Sequence, residues 1–386
     1  MSPKILFISH YAGRTGAPLM LLNLLTWLKQ NTELPFEVLL LADGPLRPEF
    51  SKLATVHLFP AANAARKGIA ARLMKRFDLT QPETRAQERL LNQLCSNGIG
   101  LIYANTVITG QALEALAPLG CPVITHIHEL DYWIEQSGTQ NFEQVRQYSH
   151  RFIAASNAVK TNLVNKYSIP ADTIDVVHSF IPTDGIKANP QGIRQNLGIP
   201  DDAFVVLGSG HETWRKGKDL FVQLAAIMKK NHSDIQTYFL WVGGWQNEEG
   251  RRNILHDVQH LGLNGRVLFI GEVSNPLDYF AAGDVFAMVS REDPFPLVCL
   301  EAALLEKPVL CFAEAGGMPE FVEEDAGVII PYLDIEAMSK QIAWLADDKE
   351  LRGKLGTTAR YKVEKIYNLE NGSKRIAELI ENFPSS

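Results

Sequence analysis

Two cations, Arg215 and Lys216, stand directly before Gly217, and two acids, Asp293 and Glu301, stand eight residues apart farther along the chain. Cations at a helix start oppose the helix dipole unless an anion sits among them, and a diphosphate is such an anion. A carboxylate accepts hydrogen bonds on both oxygens, which suits the hydroxyl pairs of ribose and hexoses. Asp293 falls in a loop and Glu301 about one turn into the next helix, so both can face one ligand. The main-chain N–H groups of Leu297 and Val298 open that helix, where phosphate is readily bound. The plainer alternatives are a solvated loop for the cations and simple helix capping for the acids.

Two further clusters carry chemistry. In Thr125-His-Ile-His-Glu, strand alternation puts His126 and His128 on one face at a strand end. An imidazole there can bond sugar hydroxyls or share a proton with a reacting group. It can equally be a satisfied core histidine. A two-histidine metal reading lacks a third ligand. The first loop, Ser9 to Pro18, contains Gly13 and Gly16 and runs from a strand into a helix. Those glycines let the backbone approach a phosphate, or merely make a turn. The loop is not a G-x-G-x-x-G fingerprint, which argues against a nicotinamide cofactor. Gly316-Gly317 likewise permits an unusual backbone before Glu320.

The elements that must position these groups alternate. Short apolar runs at Lys4–Ser9, Glu37–Leu41, Thr55–Phe59, Leu101–Ala104, Val123–His126, Phe152–Ala154 and Asp175–His178 predict parallel strands separated by helices. The rhythm restarts at Phe204–Gly208 and continues through Thr237–Val242, Val267–Ile270, Val285–Val289, Pro308–Phe312 and Gly327–Ile330. Between the sets, residues 181–200 hold three prolines and three glycines, the composition of a hinge. The expected class is α/β, with two doubly wound Rossmann-like domains, 1–182 and 183–365. The tail at about 366–386 is expected to be helical and to cross back to the first domain. Ligands of such sheets bind at the carboxyl ends of the strands.

Composition sets limits. A formal net charge of -7 argues against bulk nucleic-acid binding. The four cysteines, Cys95, Cys121, Cys299 and Cys311, form no C-x-x-C pair and are expected to be reduced core residues. No apolar run approaches the roughly 18 residues of a membrane span, and the N-terminus lacks the pattern of a signal peptide. The expectation is a cytoplasmic protein.

The order of these motifs resembles the retaining family-four glycosyltransferases (glycosyl transferases group 1) with the GT-B fold, in which two Rossmann-like domains face a central cleft. The K-G, E-x7-E, P-V-V-A and G-G-x-x-E segments of that family are matched by Lys216-Gly217, Asp293 to Glu301, Pro308-Val-Leu-Cys and Gly316-Gly-Met-Pro-Glu320. The R-E-D-P-F-P-L-V stretch is similar to one subgroup. The resemblance implies that Lys216, with Arg215, holds the donor diphosphate and Glu301 the ribose. It implies that Asp293 contacts the transferred sugar, with Glu292 the alternative one position away. Gly16 would lie near the donor phosphates, His128 by the reacting sugar, and the backbone of Ile270–Val273 at the edge of the base. His126, His211 and Gly317 are secondary candidates. The sequence departs from the family where Gly210 and His211 replace its usual G-R, and where Pro296 replaces a glycine and removes an N–H donor.

The implied reaction is hexosyl transfer from a nucleotide diphosphate sugar to a glycan or lipid-linked acceptor, with retention, in cell-envelope or exopolysaccharide synthesis. No D-x-D is present, and no metal or other cofactor is expected. Residues 64–77 carry Arg66, Lys67, Arg72, Lys75 and Arg76 with an apolar stripe of Ile69, Leu73 and Phe77. Such a segment suits an anionic membrane surface, which would place the protein peripherally at the inner face. Packing on its own domain or an anionic acceptor would explain it equally. Two competing functions share the architecture: a catalytically weak binding or activating subunit, and a nucleotide-sugar epimerase.

Overall fold

The computed structural model describes residues 4–60 and 81–383. The basic segment 64–77 lies outside them. The chain forms two compact units, one comprising Met1–Ala155, Val159–Val177 and Ser373–Ser386, the other Ser156–Ala158 and His178–Gly372.

The first unit is built on strands β1 (Lys4–Ser9), β2 (Phe36–Leu40), β3 (Val56–Leu58), β4 (Ile99–Ala104), β5 (Val123–Ile127), β6 (Arg151–Ala154) and β7 (Ile174–Val176). They make one sheet in the order β3-β2-β1-β4-β5-β6-β7, with every pairing parallel. Helices cover both faces, which is why the strands are apolar without alternation. Ile5, Leu6, Phe7 and Ile8 are all fully buried, although their side chains point alternately to opposite faces.

The second unit repeats the plan with β8 (Phe204–Ser209), β9 (Thr237–Val242), β10 (Val267–Gly271), β11 (Val285–Met288), β12 (Val309–Phe312) and β13 (Gly327–Ile330). Its order is β10-β9-β8-β11-β12-β13, again parallel throughout. The helix Lys218–Asn231 buries Leu220, Phe221, Leu224, Ala225 and Met228 along one face, at helical spacing. Each such large apolar side chain contributes about 1.5–3 kcal/mol by leaving water. Lys229 and Lys230 end the helix, where its dipole favours cations. Asp334 and Asp348 cap the helices Ile335–Asp347 and Lys349–Lys365 by accepting from Ala337 N at 2.8 Å and Leu351 N at 2.9 Å. Each cap is worth about 1 kcal/mol.

Both sheets change winding direction beside their first strand, between β1 and β4 and between β8 and β11. Loops leaving adjacent strands in opposite directions open a crevice at that point. The residues singled out by chemistry lie mainly in the loops and strand ends around these two crevices.

Several expectations change. Cys95 is exposed on the helix Gln81–Ser96, whereas Cys299 and Cys311 are buried and Cys121 is half-buried. Its helix faces solvent there, so the core reading fails for that cysteine. The stretches 44–50 and 131–142, which show no apolar run or helical spacing in the reading above, are largely helical: Arg47–Leu53, Asp131–Gln136 and Thr139–Tyr148. Phe50, Ile134 and Phe142 are buried and supply the apolar anchors of these helices.

Candidate active site

In the second unit the loop after β8 ends in a single 3-10 turn, Trp214–Lys216, and the helix proper begins at Lys218. Arg215 and Lys216 therefore precede the helix rather than open it. Gly217 joins the turn to the helix at φ +70°, and a Cβ there would lie 2.2 Å from the Val289 carbonyl oxygen. Only glycine satisfies both the left-handed backbone and that contact. The turn is thus pressed against the strand end that leads into the 290s loop.

Lys216 Nζ meets Asp293 Oδ2 at 2.5 Å, and Arg215 Nη1 lies 3.4 Å from Asp293 Oδ1. Arg215 also donates to the Glu292 carbonyl at 2.5 Å. Asp293 is buried. Burial alone would raise its pKa, but the two cations outweigh burial and hold the carboxyl below its usual range. Of the two neighbouring acids, Asp293 offers the cations its carboxylate, and Glu292 offers Arg215 its main-chain carbonyl. The Asp293 N–H donates to the Ala315 carbonyl at 2.6 Å, and the Gly317 N–H to the Pro294 carbonyl at 2.9 Å. A Cβ on Gly317 would fall 2.3 Å from that same Pro294 oxygen. The double glycine therefore lets two loops lie main chain to main chain.

The helix Leu297–Leu304 follows, with Pro296 at its N-cap and no side-chain capping bond. Its first N–H groups, on Leu297 and Val298, are left without a capping side chain. Glu301 is half-buried on the helix, and burial pushes its carboxyl up to about 7. Among the described residues no hydrogen bond or ion pair engages that carboxylate. Val273 lies half-buried just beyond β10, packed on the core. His211 faces Glu272 at 3.6 Å on the surface.

Sequence reasoning missed Arg291. Its guanidinium forks onto Asp219 at 2.9 and 2.6 Å, donates to the Trp214 carbonyl at 2.7 Å and lies 5.1 Å over the Trp214 ring. Its own N–H donates to the Arg215 carbonyl at 2.7 Å. Arg291 thereby staples the two loops that bring Lys216 to Asp293. An acid at the start of one helix and an arginine at the end of a neighbouring strand were the available signal. Glu320 is committed elsewhere. Its carboxylate accepts from the N–H groups of Asn157 at 2.9 Å and Ala158 at 2.8 Å, and bonds His178 Nε2 at 2.6 Å. It acts as a borrowed N-cap for the helix Asn157–Asn165.

In the first unit the crevice holds imidazoles. His126 and His128 lie ring to ring, with centroids 3.9 Å apart and planes tilted by 36°. His126 Nδ1 bonds the Tyr103 hydroxyl at 2.7 Å, and its buried Nε2 has no partner among the described residues. His128 Nε2 bonds Asn105 Oδ1 at 2.9 Å. Burial drives the pKa of His128 down to about 3, with His10 adding to the shift, and burial takes His10 to about 4. These rings are neutral at physiological pH. Gly16 starts the helix Gly16–Asn31, which has no side-chain cap and no acid in its first turn, and the place of its missing Cβ is open. Gly13 differs: a Cβ there would strike the Tyr11 ring at 1.8 Å.

Asn105 also escaped the sequence reading, although it immediately follows β4, where strand ends meet ligands. The next residue, Thr106, has φ +148°, a region nearly confined to glycine and costing about 1–3 kcal/mol. Glu129 holds that turn: it accepts from the Thr106 hydroxyl, from Val107 N at 3.3 Å and from His128 N at 2.9 Å.

Two parallel doubly wound units, one with an anion-compatible cation pair at its crevice and one with neutral histidines, define the GT-B class of α/β protein. Residues 191–362 match the family model for glycosyl transferases group 1, and residues 16–184 match that for glycosyltransferase family 4. The chain belongs to the group 1 glycosyltransferases of GT-B fold. It is 31% identical over 182 residues to the lipopolysaccharide core biosynthesis glycosyltransferase LpsD of Rhizobium meliloti, covering 47% of this chain and 50% of that one. It is 26% identical over 251 residues to a D-inositol 3-phosphate glycosyltransferase of Corynebacterium kroppenstedtii, covering 62% and 55%. The chain spans about half the length of the curated relatives it matches. Among solved structures it is similar to Anabaena Alr3699/HepE in complex with UDP and glucose, at TM-score 0.81 and 21% identity, covering 99% of this chain and 100% of that one. That likeness concerns the fold. Among the described residues no helix is long and apolar enough to cross a membrane.

Proposed function

We propose that this protein transfers a hexosyl group from a nucleotide diphosphate sugar to a glycan or lipid-linked acceptor, with retention and without a metal. The observation that carries the reading is the Lys216–Asp293–Arg215 cluster, followed in sequence by the helix that carries Glu301, whose carboxylate no hydrogen bond or ion pair engages among the described residues. A departing diphosphate needs charge stabilisation, and Lys216, Arg215 and the uncapped N–H groups of Leu297 and Val298 supply it without a cation. Glu301 accepts from the ribose hydroxyls, with Val273 at the edge of the base. Asp293 contacts the transferred sugar, and His128 lies by the reacting carbon. Gly16 brings an uncapped helix start toward phosphate. A carboxylate held by two cations is a poor nucleophile, so Asp293 favours front-side departure over a covalent intermediate. The retention and metal-independence rest on this chemistry and on the family resemblance. The UDP and glucose bound by the structural neighbour and the lipopolysaccharide role in the name of LpsD support a nucleotide-sugar donor and an envelope glycan acceptor. Work at the inner face of a cytoplasmic membrane fits such acceptors.

The test is a thermal-shift screen with UDP, GDP, ADP and their common sugar conjugates, followed by product analysis. A ligand at 100 times its Kd stabilises by about 2.7 kcal/mol. One nucleotide class should shift the melting temperature and yield a new glycoside whose anomeric configuration matches the donor. Binding without product would indicate a binding subunit, and an altered free nucleotide sugar an epimerase. No shift with any nucleotide would remove the donor site.

A further inference from the structure

The chemistry of His128 depends on which ring nitrogen carries its proton, and its neighbours decide that. Asn105 Nδ2 donates to the Ala17 carbonyl at 2.9 Å. A carbonyl can only accept, so the amide cannot be reversed without setting oxygen against oxygen. Asn105 Oδ1 is therefore the atom that faces His128 Nε2 at 2.9 Å. An amide oxygen also only accepts, so Nε2 carries the proton. Nδ1 is then a bare lone pair, and among the described residues no hydrogen bond engages it.

We propose that Asn105 is a positioning residue that fixes His128 as the Nε2–H tautomer, leaving Nδ1 as a hydrogen-bond acceptor for a hydroxyl of the bound sugar. The acceptor role rests on the transferase reading given above, whereas the tautomer does not. A second observation points the same way. The Thr106 backbone, at φ +148°, is held in a conformation few side chains tolerate, directly after Asn105. Glu129 secures that turn and also takes the N–H of His128, so one carboxylate fixes both partners of the amide–imidazole bond. Strained main chain held by several bonds is a common way to pre-organise a site. The other groups facing His128 are the tilted His126 ring, His10 and the Glu129 carboxylate. Burial keeps the imidazole neutral, which preserves the lone pair.

The experiment uses the full chain labelled with 15N-histidine, with the His128 signals assigned by their absence in His128→Asn. Long-range 1H–15N spectra should show the Nε2–H form of His128 across pH 5.5–8. Asn105→Leu keeps the shape but strands the Nε2 proton in apolar surroundings, so the proton should move to Nδ1. With the acceptor turned into a donor, kcat/KM should fall about 10-fold or more, as expected for a lost hydrogen bond of about 1.4 kcal/mol. Asn105→Asp should keep the Nε2–H form, and its carboxylate should favour the imidazolium. His128 should then titrate at higher pH than in the wild type, and the activity should gain an acid limb at that same pH. Above that limb the rate should return to within a few-fold of wild type.

An Nδ1–H tautomer in the wild type would overturn the proposal, as would Asn105→Leu with unchanged spectrum and rate. If Asn105→Leu does not fold, Asn105→Asp decides, since an acid limb unmatched by His128 titration would also overturn it. If the spectra are as expected but the wild type turns over no nucleotide sugar, the tautomer stands and the acceptor role falls with the transferase reading.

Discussion

The two units wind their sheets alike and reverse strand order beside the first strand of each, yet the two crevices hold opposite chemistry. At β8/β11 lie fixed charges: Lys216 and Arg215 on Asp293, and Arg291 on Asp219. At β1/β4 lie neutral rings, His10, His126 and His128, each driven well below its usual pKa by burial. The same backbone plan thus supports charge compensation in one place and neutral hydrogen bonding in the other. The contrast teaches that the winding supplies a place for ligands, while a handful of side chains decide whether that place suits an anion or a sugar.

The largest break in this comparison should come from Lys216→Ala. It leaves the buried Asp293 with one cation, Arg215 at 3.4 Å, which should cost about 3 kcal/mol in denaturant melts. It should also lower transferase kcat/KM by about 100-fold and abolish nucleotide-induced thermal shifts. Asp293→Asn sharpens the point. It frees both cations, so nucleoside diphosphate binding by calorimetry should hold or tighten while turnover falls. Weaker diphosphate binding in Asp293→Asn would contradict the expectation that Lys216 and Arg215, once released from the carboxylate, are free for phosphate.

A smaller effect concerns Glu301, whose folded pKa of about 7 lies above its unfolded value. Its neutral form stabilises the fold at low pH, and that contribution is lost as pH rises through about 7. Glu301→Gln should therefore raise the melting temperature at pH 8 by a few degrees and leave it nearly unchanged at pH 5. The ribose reading requires the ionised form. Donor affinity should accordingly weaken below pH 7 in the wild type, and that pH dependence should vanish in Glu301→Gln.

Glu320 has the opposite sign. Burial alone would raise its pKa, but the bonds from His178, Asn157 and Ala158 prevail and lower it. Its stabilisation is present above the unfolded value near 4.5 and is lost as pH falls through the lower folded value. Glu320→Gln should cost about 1–2 kcal/mol in urea melts at pH 7 and progressively less below pH 4. The smallest expected effect is at Cys95, which should react with maleimide in the native state without loss of stability. Cys299 and Cys311 should react only on unfolding.

Much of the fold was legible because strands buried on both faces write themselves as apolar runs. β1, β9 and β13 begin and end where those runs do. The Lys216–Gly217 pair was legible because a glycine after two cations is an unusual way to enter a helix. Arg291 was not, because its meaning comes from Asp219, 72 residues earlier in sequence and 2.6 Å away in space. Asn105 was missed for a related reason: an asparagine after a strand reads as a turn until its amide is seen between Ala17 and His128. Helices within 44–50 and 131–142 were hidden because short helices gain little from propensity and much from a buried anchor such as Phe50 or Phe142.

By itself the sequence determined the alternation of strands and helices, the restart of that rhythm near residue 204 and the residue types available at the strand ends. Those follow from local periodicity and from chemistry that each side chain carries anywhere. Tertiary structure alone decided that Asp293 carries two cations, that Glu301 is left without a partner among the described residues and that His128 is neutral. Each of those depends on burial and on distances between segments far apart in the chain. A charge or a proton responds to what surrounds it in space, and no local pattern records those surroundings.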